Sequence, residues 1–417
     1  MNKIKTTCEI VVMILCMVLV PAGASDFTLE VFGNANMDDT IDELDVEYVQ
    51  GIIDGTNEVT ELADANYDGE VDGDDISQIE LIINGNENEL TILDSAERTV
   101  TIPKPVEKIV VLWKNPTEEI RALGAVDRIV GIDVDTAGQT GYMGGPLFFP
   151  ELMDVPVVGS SDDPDYEVII DLDPDVVIML ATYPPLPDEV QDMLEPAGIK
   201  VVGLDFYRVD VFYKELAILG YILDTESEAE EYIDFFQSWT DRVGEVVEDL
   251  EPDEKKTVYY EAVAKYGTYG GHYGSGIPEA VRTAGGIYLY DDIESQSVDV
   301  DPEDLVERNP DVIFKLANVG DGGYSLTNTS ELKEVKDEIT SRPEISLVTA
   351  LKNNDIYVIN MGVSGGARKL FAPVFVAKCL YPDKFEDLDP YDFINEYLET
   401  WQGIPYQGVY IYPYPPE

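Results

Sequence analysis

Tyr166-Glu-Val-Ile-Ile-Asp-Leu-Asp-Pro-Asp-Val-Val-Ile178 recurs as Pro302-Glu-Asp-Leu-Val-Glu-Arg-Asn-Pro-Asp-Val-Ile-Phe314. In both segments a Glu stands second (Glu167, Glu303), Pro-Asp follows at the same interval, and an apolar run begins. Each reads as a short helix, a turn and a buried strand. A helix N-terminus favours a carboxylate, which accounts for either Glu singly but not for their repetition. The repeat implies two similar lobes.

The surrounding sequence has the same rhythm. Val- and Ile-rich runs at 109–112, 129–132, 176–180 and 201–204 alternate with helical stretches at 118–123 and 188–197. A second set follows at 257–263, 287–289, 312–316 and 356–359. This alternation predicts α/β lobes with a parallel or mixed sheet covered on both faces, over 97–224 and 251–410. Between them, at 225–250, Ala229, Tyr232, Ile233, Phe236, Trp239, Val243, Val246, Val247 and Leu250 recur every three or four positions. Thr225-Glu-Ser-Glu228 has capping-box spacing in front of them. One long rigid helix is expected to bridge the lobes.

The chain resembles the substrate-binding proteins of ABC importers for iron–siderophore complexes, haem and cobalamin over about residues 97–410. The resemblance rests on Lys108-Ile-Val-Val-Leu, Arg121-Ala-Leu-Gly-Ala-Val-Asp-Arg-Ile-Val-Gly-Ile, the two Glu…Pro-Asp segments, Ser341-Arg-Pro, Leu351-Lys-Asn-Asn-Asp-Ile-Tyr-Val-Ile and Leu380-Tyr-Pro-Asp-Lys-Phe. It implies two Rossmann-like lobes, a ligand between them, and docking to an ABC permease through Glu167 and Glu303. The loops expected at the cleft are aromatic and carry scarce cations. They offer Trp113, Lys114, Asn115, Tyr142, Tyr183, Tyr207, Arg208, Tyr266, His272, Tyr273 and Arg368 as ligand contacts. Aromatic faces suit a broad chelate, and Arg and Lys suit anionic oxygens. An iron(III)–siderophore complex is the first expectation, with haem or cobalamin as alternatives. His272 reads either as a ligand to iron or cobalt or as a solvated loop side chain.

Before the lobes, Asn34-Ala-Asn36-Met-Asp38-Asp-Thr40-Ile-Asp42-Glu-Leu-Asp45 and Asp64-Ala-Asn66-Tyr-Asp68-Gly-Glu70-Val-Asp72-Gly-Asp-Asp75 share a twelve-residue pattern. Oxygen-bearing side chains fall at positions 1, 3, 5, 9 and 12, with position 7 (Thr40, Glu70) able to lend a carbonyl. That arrangement suits two structural calcium ions, although carboxylates are also frequent by chance in so acidic a chain. Residues 28–88 resemble a type I dockerin, which implies a cohesin-like partner. Two departures stand out: Asp39 occupies the position of the sharp-turn Gly, and positions 10 and 11 are Glu43-Leu44 and Gly73-Asp74.

Residues 1–24 read as a signal peptide, with Lys3 and Lys5, an apolar run and Ala22-Gly23-Ala24. The mature protein is therefore expected outside the cytoplasm, secreted and cell-surface associated. Cys379 is then the one cysteine left, so no intramolecular disulfide is expected. A net charge of −58 repels phosphates and argues against nucleic acid as a partner. With a single His and no adjacent nucleophile–base pair, an enzyme is disfavoured. A dockerin-bearing carbohydrate-active enzyme or a surface scaffold component remains the alternative of another class.

Overall fold

Asp175 and Asp311 show how the repeated segment sets its own register. In the computed structural model, which describes residues 27–139, 144–271 and 276–416, the two segments form helices Tyr166–Leu172 and Pro302–Arg308. The Asp165 and Asp301 side chains cap them by accepting from the backbone N–H of Val168 and Glu303. Each helix ends on a left-handed residue, Asp173 (φ 50°) or Asn309 (φ 48°), residue types that tolerate this region. Next, Asp175 accepts from the Glu107 and Lys108 N–H groups, both at 2.8 Å. Asp311 accepts from Thr257 N and Oγ1 at 2.9 and 2.7 Å. Each Asp thus pins the strand it starts to the strand alongside, giving the parallel pairs Ile109↔Val176 and Val258↔Val312.

The first-lobe sheet runs Ile129–Gly131, Ile109–Val111, Val176–Met179, Lys200–Gly203, all parallel. The second runs Ile287–Tyr288, Thr257–Glu261, Val312–Ala317, Ile356–Asn360, and ends on an antiparallel edge strand, Ile411–Tyr412. The eight expected strands are all present. The edge strand lies beyond the Val/Ile runs and was not anticipated.

The bridging helix spans Glu226–Glu248, 23 residues, or about 35 Å at 1.5 Å per residue. Its stripe Ala229, Tyr232, Ile233, Phe236, Trp239 and Val243 is buried. Phe236 meets Phe212 (5.4 Å between ring centroids) on the first-lobe side and Phe371 (6.0 Å) on the other, and Trp239 stacks on Phe393 at 4.8 Å. The expected capping box is not formed. Thr225 makes no side-chain cap, and its hydroxyl is buried without a partner in the described residues.

The N-terminal module carries helices Glu43–Ile53 and Gly73–Ile83, both with complete capping boxes from Asp42 and Asp72. It is fused to the first lobe. The polar stretch 85–89, which reads as a linker, includes buried Glu87 close to Lys104 Nζ (3.5 Å) and leads into a hairpin, Glu89–Leu93 with Thr99–Pro103. The module's own chain extends that hairpin through a bridge between Val31 and Ile92, and Lys214 pairs with Glu30 at 2.7 Å. Leu29, Val31, Val49 and Ile79 share one continuous core with the lobes. Cys379 is buried in helix Phe371–Leu380, and burial raises its thiol far above the ordinary range. No helix among the described residues is long and apolar enough to cross a membrane. The signal-peptide reading falls on residues 1–24, outside those described.

Candidate ligand cleft

Segments that follow the parallel strands of the two lobes meet, through Asn115 with Gly366, Glu118 with Arg368 and Tyr207 with Lys369, where open α/β sheets present their loops. Trp113, partly exposed, is the N-cap of helix Lys114–Ala122, which follows the strand Ile109–Val111. Lys114 and Asn115 in the first turn are buried. The Asn115 amide donates to the Asp205 carbonyl at 3.3 Å. It also explains Gly366 of the opposite lobe: a Cβ there would lie 2.9 Å from Asn115 Oδ1, at φ +59°. The lobes meet with no room for a side chain.

One turn further along, the contact becomes ionic. Arg368 of the second lobe, 3% exposed, pairs with Glu118 at 2.9 Å, and the Tyr397 hydroxyl donates to the same carboxylate at 2.7 Å. Arg121 donates to Gln402 Oε1 at 2.9 and 2.7 Å and lies over the Phe149 ring at 4.6 Å. Glu119, fully buried beside Tyr232 and Glu118, is raised well above the carboxylate range by desolvation. Burial, and next the nearby Arg368 charge, pushes Lys114 down to about 8.

At the rim, Tyr207 donates to or accepts from Thr182 Oγ1 at 2.6 Å, and its ring lies edge-on to exposed Tyr183 at 6.2 Å. The ammonium of Lys369, from the facing lobe, sits 4.8 Å from the Tyr207 ring centroid. Burial pushes Lys369 down to about 8. Sequence reasoning missed this lysine, although it adjoins Arg368. Arg208 pairs with Asp210 at 2.9 Å and lines a recess of ≈ 460 Å³ with Glu30, Glu61, Asp94 and Lys214, at the junction with the N-terminal module. Arg208 and Arg368 therefore have separate carboxylate partners. Tyr266 belongs to a second-lobe ion cluster, donating to Glu344 at 2.8 Å under the Arg342 guanidinium, which forks onto Glu261 at 2.6 and 2.9 Å. Tyr142, His272 and Tyr273 lie outside the described residues. Glu167 and Glu303 are exposed, each in the first turn of its helix.

The two loops at 34–45 and 64–75 share most of their side-chain-to-backbone hydrogen bonds. Position 12 accepts from the N–H of positions 3 and 9: Asp45 from Asn36 (3.0 Å) and Asp42 (2.9 Å), Asp75 from Asn66 (3.2 Å) and Asp72 (2.7 Å). Asp38 N donates to Asn34 and Asn36, and Asp68 N to Asp64 and Asn66. Position 4 is left-handed in both, Met37 at φ 64° and Tyr67 at φ 56°, while only the second loop is left-handed at position 6, Gly69. Burial raises Asp45 to about 6, with Asp38 and Asp42 adding like charge, and raises Asp75 as well. One buried carboxylate in each loop, Asp45 or Asp75, with partly or fully exposed carboxylate neighbours, is a donor set of the type a hard cation takes. Among the described residues, however, no three His, Cys, Asp or Glu side chains already converge on one point. The Ile41 N–H, which a paired calcium loop would offer to its twin, donates instead to the Tyr221 hydroxyl at 2.8 Å.

Residues 109–361 match the family model described as Periplasmic binding protein. The chain is 25% identical over 304 residues to the ABC transporter substrate-binding lipoprotein YvrC of Bacillus subtilis, covering 72% of this chain and 87% of that one. It is 23% identical over 345 residues to the molybdate-binding protein MolA of Haemophilus influenzae, covering 76% and 92%. Among solved structures, the TroA-like periplasmic binding protein FepB from Veillonella parvula superposes with a TM-score of 0.63 at 25% identity, covering 77% of this chain and 98% of that one.

Proposed function

The chain belongs to the periplasmic binding protein family, as a non-enzymatic solute-binding component of an ABC importer, and we propose that its ligand is an anionic metal chelate, foremost an iron(III)–siderophore complex. The observation that carries this is the placing of Lys114, Lys369 and two tyrosines on the strand-end segments, with Arg368 neutralised by Glu118, in a chain of net charge −58. Cations are scarce here, and lysines at the strand ends favour negative oxygens. Haem and cobalamin are the alternatives within this fold. Exposed Glu167 and Glu303 are the proposed contacts to a basic patch on the permease. Native mass spectrometry and absorbance of the purified protein test the ligand class. A co-purifying iron chelate supports it, whereas a co-purifying corrinoid or haem selects the alternative.

The matched loops favour a second reading for residues 28–88. Each takes one calcium ion, through Asn34, Asn36, Asp38, Thr40, Asp42 and Asp45, and through Asp64, Asn66, Asp68, Glu70, Asp72 and Asp75, the module serving for attachment to a cohesin-like partner at the cell surface. Calcium binding to a set of repelling carboxylates stabilises the folded form. Calorimetry of the full chain with calcium is the test. Two-site uptake, halved by Asp68→Ala with Asp75→Ala, is expected; no uptake at about millimolar calcium rejects the reading.

A further inference from the structure

Two adjacent cations of the second lobe are placed quite differently. Arg368 is sunk between the lobes on Glu118. Lys369, half-buried at the rim, makes no ion pair among the described residues. Its ammonium rests on the ring face of Tyr207, which Thr182 holds in place through the tyrosine hydroxyl. Tyr207 follows the strand Lys200–Gly203 and Lys369 follows the strand Ile356–Asn360, so this contact spans the lobes at the strand ends, where a solute would enter.

We propose that Lys369 is the residue that reads the negative charge of the ligand, and that the Tyr207 face occupies its ammonium until a ligand oxygen takes over. The assignment rests on the reading of an anionic ligand and gives it a residue. A ring face is a replaceable partner, because it satisfies a cation without hydrogen bonds, whereas an anionic oxygen offers both charge and an acceptor. The exchange leaves Tyr207 free to pack on the body of the ligand. Arg368 cannot change partners as cheaply, since it would strand the buried Glu118 carboxylate.

The groups that act on Lys369 are Glu279 on the helix Ile277–Thr283 and Asp205 and Asp210 on the facing loops, all of which favour its charged form against burial. The ammonium is therefore charged at pH 7 and is lost as pH rises through about 8. Affinity for an anion should fall over the same interval.

The test titrates the full chain with a trianionic ferric tris-catecholate, a neutral ferric tris-hydroxamate and molybdate, using wild type, Lys369→Met and Lys369→Arg. Wild type should bind one of the anions. Lys369→Met should weaken that binding about tenfold or more, leave any binding of the neutral chelate within about twofold, and flatten its pH dependence between about pH 7 and 9. Lys369→Arg should restore most of the loss, and the unfolding midpoint should not change. If wild type binds an anion and Lys369→Met binds it equally well, the assignment of Lys369 falls while the anion reading stands. If wild type binds only the neutral chelate, or none of the three, the anion reading itself falls and takes the assignment with it.

Discussion

Arg368 drew attention in the sequence because cations are rare, yet its neighbour Lys369 is the one at the rim. A sequence cannot say which of two adjacent side chains a 3-10 turn points inward; the Gly366–Leu370 turn decides it. Removing one partner of the buried pair strands the other, so Arg368→Met or Glu118→Gln should cost about 3–5 kcal/mol in urea unfolding. Glu119 behaves oppositely. Its folded-state pKa is raised above 4.5, so the folded chain keeps a proton that the unfolded chain releases, and stability falls as pH climbs above that value. Glu215, raised to about 7 mainly by burial, has the same sign between 4.5 and 7. Glu119→Gln should therefore reduce, without abolishing, the loss of stability between about pH 5 and 8, read from urea midpoints. A wild-type protein that gains stability over that range contradicts this.

The strands were legible as elements because fully buried parallel strands are written as continuous Val/Ile runs. The long helix was legible from its apolar stripe, and Phe236 shows what that stripe does by touching rings on both sides. Phe236→Ala should cost about 3–5 kcal/mol, with both lobes unfolding in one transition. The junction with the module was not legible, because Glu87 and Lys104 are polar residues that only become a buried pair once the hairpin brings them together. Nor does a sequence show that the Ile41 amide is bonded to a tyrosine 180 positions away. Tyr221→Phe leaves that buried N–H unsatisfied and should destabilise the protein by about 1–3 kcal/mol, seen as a lowered urea midpoint.

Across the whole molecule, the repeated Glu places one carboxylate on each lobe. In the proposed docking the two exposed carboxylates act together, one from each lobe. Reversing both, Glu167→Lys with Glu303→Lys, should block uptake in reconstituted vesicles while leaving solute affinity unchanged. Normal transport by the double variant would remove the docking assignment. The bridging helix, packed on both lobes by aromatic rings, argues for small closure on binding rather than wide hinge motion. All of this presupposes that a solute enters between the lobes beside Trp113, the one of the three tryptophans on a strand-end loop of the cleft. The direct measurement is tryptophan fluorescence of the purified chain during titration with ferric chelates, haemin, cobalamin and molybdate. Saturable quenching by one of them at about micromolar concentration, lost in Trp113→Phe, is the predicted result. Absence of any response below about millimolar ligand, or quenching unchanged in Trp113→Phe, would contradict a ligand site between the lobes.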